Sequence, residues 1–98
     1  MMCVFLPQMQ RAFQDAIETG DGFTVLDIRN RVRELCGPSI PVDYKTVKYE
    51  LLALFEKNRP DGWVATTKQV TDIEGNPQRV WYFVRLRKML EAWEAALR

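Results

Sequence analysis

Cys3 and Cys36 are the only thiols in the chain, and histidine is absent. Without imidazole there is no ordinary general base near neutral pH and no Ser/His or Cys/His nucleophile pair, and the commonest metal ligand is missing. Two thiols far apart in sequence cannot complete a four-ligand zinc site from cysteine and histidine alone. Cys36 falls on an apolar helical face, as a buried free thiol does. The carboxylates Asp15, Glu18, Asp27, Glu34, Asp72 and Glu74 sit in charged surroundings. None of them pairs with another in an apolar setting that would shift its pKa. Gly20-Asp21-Gly22 makes a turn with no Gly-Lys-Ser/Thr after it, so it does not read as a phosphate-cradling loop. The expectation is therefore no catalytic residue, no metal and no cofactor. The remaining chemistry is basic and aromatic: Lys45 and Lys48 with Tyr44 and Tyr49, then Arg29, Arg31 and Arg33, and further on Lys68, Gln78 and Arg79.

Such groups act on anions, yet the whole chain is nearly neutral. Its 14 basic and 13 acidic residues leave a net charge of +1. Any nucleic-acid reading must rest on local clustering rather than on overall charge. A length of 98 residues, 47% hydrophobic, fits one domain over 1–98 with one modest core. The opening Met-Met-Cys-Val-Phe-Leu-Pro is too short an apolar run for a signal peptide and lacks a basic lead. No stretch approaches the length of a membrane span. With no disulfide framework either, a reducing, cytoplasmic setting is expected.

Positioning these residues falls to a regular series of elements. Met9, Ala12, Phe13, Ala16 and Ile17 form one helical stripe over 8–19, started by Pro7 and stopped by Gly20. Thr24 reads as an N-cap with Asp27 three residues on, opening a second helix that Gly37-Pro38 ends. Asp43 caps a third helix from Tyr44 to about Lys57, with Val47, Leu51, Leu54 and Phe55 inward. Residues 63–73 and 77–85 read as two strands. A two-residue turn at Gly75-Asn76 would set Asp72 opposite Arg79 and Val70 opposite Trp81; loops of other lengths stay open. That register makes Trp63, Ala65, Ile73, Val80, Tyr82 and Val84 the core face. Lys68, Arg79, Arg85, Trp81 and Phe83 then fall on the reverse. From Leu86 the helical period returns, with Leu86, Met89, Leu90, Trp93 and Leu97 on one side.

The order helix, helix, short turn, helix, hairpin resembles the winged helix-turn-helix superfamily. The residues that carry the likeness are Phe23-Thr24-Val25-Leu26-Asp27-Ile28, Asp43 to Leu52, Gly62-Trp63-Val64, and Gln78-Arg79-Val80-Trp81-Tyr82-Phe83. It covers about 8–85, with 86–98 as a C-terminal helix, and is similar to small bacterial or phage-type regulators, prophage-like in size. The resemblance implies an α+β winged helix: a three-helix bundle with a helix-turn-helix, a two-stranded β-hairpin wing and a closing helix. It implies sequence-specific binding of double-stranded DNA by a small transcription regulator. Helix three would enter the major groove and the wing would lie on the backbone. Carried over by position, the DNA-binding residues would be Tyr44, Lys45, Thr46, Lys48 and Tyr49 on helix three, with Lys68, Gln78 and Arg79 on the wing. One or two of Arg29, Arg31 and Arg33 would touch the backbone.

Each of these residues also has a plainer role. A lone lysine on a helix surface is more often just a solvated charge. Three arginines at spacing two cannot share a helical face, and Arg31 would pair with Asp27. Glu50 and Glu56 on helix three oppose phosphate. The alternative is a winged-helix module that binds a protein instead of DNA, through an exposed Trp81/Phe83 face or through the last helix. Leu86, Met89, Leu90, Trp93 and Leu97 would either pack back on helix one or form the seam of a homodimer that spans two half-sites.

Overall fold

The computed structural model describes residues 5–98, so Cys3 and the start of the N-terminal apolar run lie outside the described residues. Four helices and a three-stranded antiparallel sheet make an α+β architecture in the order α1 (Leu6–Thr19), β1 (Gly22–Thr24), α2 (Val25–Cys36), α3 (Tyr44–Asn58), β2 (Trp63–Thr71), β3 (Pro77–Arg85) and α4 (Leu86–Ala96). No helix among the described residues is long and apolar enough to cross a membrane.

Local chemistry sets the helix boundaries. α1 carries Pro7 in its first turn and ends at Gly20. Thr24 and Asp27 form the expected capping box. The Asp27 N–H donates to the Thr24 hydroxyl at 3.2 Å, and the Thr24 N–H donates to the Asp27 carboxylate at 2.8 Å. Two of the orphan amides at the start of α2 are thereby satisfied. Asp43 caps α3 by accepting from the Thr46 N–H at 3.1 Å. Arg31 does not pair with Asp27, whose carboxylate is taken by the cap; it bridges to Glu34 at 3.0 Å.

β1 was not expected. It is only three residues long, too short to show a period, yet it pairs Phe23 with Phe83 and makes β3 the central strand in the order β1-β3-β2. Phe23 then stacks on Phe83, with centroids 5.3 Å apart and planes at 19°, and touches Phe13 of α1 and Trp63 of β2. Phe83 in turn meets Phe55 of α3 at 5.1 Å. Around these rings the core collects Met9, Val25, Ile28, Val32, Val47 and Leu51. Each aromatic pair adds about 0.5–1.5 kcal/mol beyond the area it buries.

The hairpin register differs from the expected one. Trp63 pairs with Arg85, Gln69 with Arg79 and Thr71 with Pro77. The connection is the five-residue loop Asp72–Asn76, not a two-residue turn. Asp72 closes it: its carboxylate accepts the Asn76 N–H at 2.8 Å, and its backbone bonds to both Asn76 and Gly75. Gly75 has φ +88°, which glycine adopts without strain. An odd shift in register exchanges the faces of one strand relative to the other. Trp63 and Ala65 do face the helices, but with Phe83 and Trp81 rather than with Val80, Tyr82 and Val84; Val80 and Val84 are buried as expected, but on the reverse face of the sheet. Phe83 is fully buried and Trp81 packs on the core, so the exposed Trp81/Phe83 face expected from sequence does not exist. Ile73 is excluded from the strand and stands fully exposed at the loop tip.

On the reverse face Tyr82 crosses Gly22, where a Cβ would lie 2.5 Å from the tyrosine oxygen. Met89 and Ala92 of α4 sit beside Tyr82 and Val84 on that face. None of the α4 residues is buried; Leu86 and Leu90 border an open groove beside Glu18 and Thr19 at the end of α1, and α4 does not pack along α1.

The register can be checked by stability. Phe83→Ala is expected to cost about 3–5 kcal/mol in urea unfolding. Ile73→Ser, at a position the two-residue turn would have placed in the core face, is expected to change stability by less than about 0.5 kcal/mol. A large loss for Ile73→Ser would contradict the five-residue loop.

Candidate nucleic-acid interface

The side of α3 opposite Val47, Leu51 and Leu54 carries the basic and aromatic residues singled out above. Lys45 is exposed, Tyr49 is 57% exposed, and the Lys48 ammonium lies 4.9 Å from the centre of the Tyr49 ring. These three share the N-terminal half of the helix. Further along the same side, Glu56 is paired with Arg59, which compensates its charge locally. Glu50 is half-buried.

Tyr44 does not join this group. One helical turn before Lys48, it is half-buried against the core cluster. Burial raises its hydroxyl pKa above the ordinary range, and a backbone hydrogen bond with Trp81 pulls the other way. The ring thus marks where the start of α3 meets β3. Thr46 is committed as well. Hydrogen bonds from Thr46, its side chain first and then its N–H, hold the Asp43 carboxylate below the usual carboxylate range, and the N–H donates at 3.1 Å, which ties Thr46 to the cap.

On the hairpin the new register separates the three expected residues. Arg79 lies on the face shared by Trp81 and Phe83, the side of α3, and is exposed. At about 3.3 Å per residue it stands some 7 Å beyond Trp81, where Tyr44 touches the strand. Its guanidinium donates to the Thr67 hydroxyl at 3.1 Å, and Gln69 is its cross-strand partner. Lys68 and Gln78 point to the reverse face, Lys68 with its ammonium 4.6 Å from the centre of the Tyr82 ring. The polar residues beside Arg79 are Thr67 and Gln69, which sequence reasoning missed. Their odd numbering, in phase with Trp63 and Ala65, is the signal that could have found them.

The arginines of α2 divide their roles. Arg29 donates to the Val42 carbonyl at 3.2 Å and braces the turn before α3. Arg31 is engaged with Glu34, and Arg33 is exposed with no ion pair among the described residues. Arg29 and Arg33 flank an open groove with Pro38, Pro41 and Asp43 at that turn. Arg85, by contrast, is structural. It donates to the Ile17 and Gly20 carbonyls at 3.0 and 3.3 Å, bridges to Asp21 at 3.1 Å and covers Trp63. It thereby satisfies the end of α1, where a cation is favoured.

The surface assembled here can neutralise phosphates through Lys45, Lys48 and Arg79, and can offer Tyr49 and Gln69 as hydrogen-bonding groups. Among the described residues no group of three His, Cys, Asp or Glu side chains could hold a metal ion, and Cys36 is an unpaired, half-buried thiol. Comparison with protein-family models, curated proteins and solved structures gives no match for this chain.

The Asp43 cap has a pH signature. Because the folded-state pKa is lowered, its contribution is complete above the ordinary carboxylate pKa and is lost as pH falls through the lowered value. Urea melts of wild type and Asp43→Asn from neutral to strongly acid pH are expected to converge over that window. Parallel curves would contradict the assigned cap.

Proposed function

We propose that this chain is a winged-helix protein that binds double-stranded DNA as a small sequence-specific transcription regulator. In this reading α3 enters the major groove and the β2–β3 hairpin is the wing along the backbone. The observation that carries it is the placement of the exposed Lys45 and Tyr49, with the half-buried Lys48 between them, on the side of the N-terminal half of α3 away from Val47, Leu51 and Leu54. A recognition helix reads base edges from its N-terminal residues.

Three further features support the reading. α2 and α3 are joined by a short turn that Arg29 braces, so α3 is held rigidly rather than on a loop. Arg79, on the α3 side of the hairpin, extends the basic surface beyond the helix. Of the acids that would oppose DNA, Glu56 is paired with Arg59 and Asp72 is held in the hairpin loop, while Glu50 is half-buried and forms no ion pair among the described residues. Asp72 and Glu74 at the tip imply that the wing would approach phosphates through Arg79 on its strand, not through its loop. For the alternative, a protein-binding module, Phe83 is fully buried and Trp81 packs on the core, so the last helix is the surface that would serve it.

Fluorescence anisotropy against a random duplex pool, followed by selection of bound sequences, tests this proposal. Three neutralised phosphates give a slope of log K against log salt of roughly −2.7 per protomer. Lys45→Glu/Lys48→Glu is expected to weaken binding by at least about tenfold and to flatten the slope by roughly 1.8, with the fold intact. Equal binding by the double variant, or no sequence enrichment from the pool, would overturn the proposal.

A further inference from the structure

α4 presents an apolar stripe that the rest of the chain covers only in part: Met89 lies beside Tyr82 and Val84, Leu86 and Leu90 border an open groove at the end of α1, and Trp93 and Leu97 stand clear. Leu86, Met89, Leu90, Trp93 and Leu97 are all exposed, Trp93 by 68% and Leu97 by 78%. Their spacings of three and four residues are those of a coiled-coil seam, with Leu86, Leu90, Trp93 and Leu97 on the centre line. An exposed apolar stripe of this size on a small domain marks an interaction surface. The charges along it say what covers it.

We infer that a second copy of this chain covers α4, the two helices running antiparallel about a two-fold axis between Leu90 and Trp93. One flank of the stripe carries Arg87 near the start and Glu94 one heptad later. In an antiparallel pair this flank meets its own counterpart, which sets Arg87 of each copy beside Glu94 of the other, twice by symmetry. The opposite flank carries Met89 and Ala96 and meets itself without charge. Leu90 then packs on Trp93 of the other copy, and Leu86 on Leu97. A parallel pair would instead set the Glu94 carboxylate beside the other copy's Met89 and leave Arg87 with no acid across the seam. Glu94 forms no ion pair within the chain among the described residues, and Arg87 has only a long contact of 3.9 Å with Glu91. Both are available across the seam. The helix dipoles also oppose one another in the antiparallel arrangement. None of this depends on DNA.

Sedimentation equilibrium of the DNA-free protein over roughly 1–300 µM tests the inference. Wild type is expected to dimerise reversibly. Arg87→Glu and Glu94→Arg, each placing like charges together twice, are expected to raise the dimer Kd about tenfold, and Arg87→Glu/Glu94→Arg to restore it. Trp93→Glu is expected to be monomeric, with the melting temperature that wild type shows where it too is monomeric. A wild type that stays monomeric, or a dimer that survives Trp93→Glu, overturns the proposal. A dimer lost in Trp93→Glu but indifferent to both charge reversals overturns the antiparallel arrangement.

Discussion

The contact between Phe23 and Phe83 holds the rest of the structure in place. Phe23 sits on a strand of only three residues, yet its ring reaches α1 through Phe13, β2 through Trp63 and β3 through Phe83. Phe83 passes the contact on to α3 through Phe55. Five elements, β1 and β3 that carry the two rings and α1, β2 and α3 packed on them, thus meet at one contact. The orientation of α3, and with it the direction in which Lys45 and Lys48 point, follows from where Phe55 and Tyr44 land on β3.

That arrangement also explains the uneven value of the basic residues. A near-neutral chain cannot bind phosphate through bulk charge. Under the proposed function it would have to bring a few cations together on one surface, and several of the remaining ones are used structurally. Arg85 secures the end of α1, Arg29 braces the turn before α3, and Arg31 and Arg59 satisfy neighbouring glutamates. Arg11, Arg33, Lys45, Lys48, Lys57, Lys68, Arg79 and Arg98 form no ion pair among the described residues. Of these, Lys45, Lys48 and Arg79 lie on or beside the side of α3 away from the core.

Much of the helical framework was legible because caps and stripes are local. Thr24 with Asp27, and Asp43 before Tyr44, announce their helices within a few residues. Val47, Leu51 and Leu54 give the inward side of α3 directly. The sheet was less legible because register is a non-local property. Gly75-Asn76 looks like a two-residue turn, but the longer loop is closed by Asp72, whose carboxylate takes the Asn76 N–H and whose backbone bonds to Asn76 and Gly75. That odd shift moved Phe83 into the core and put Lys68 and Gln78 on the face away from α3. Tyr44 was misjudged for a related reason: the crossing of α3 over β3, which no helical period contains, decides whether the first residue of the helix is covered. β1 carries no periodic signal at all and is recognisable only through its partner.

The central claim is the pairing that places Phe83 inside and Arg79 on the α3 side. Cross-strand nuclear Overhauser effects in the labelled protein measure it most directly. The account predicts contacts between the backbone protons of Ala65 and Phe83, Gln69 and Arg79, and Phe23 and Phe83. Contacts between Asp72 and Arg79 and between Val70 and Trp81, with none linking Phe23 to Phe83, would contradict it.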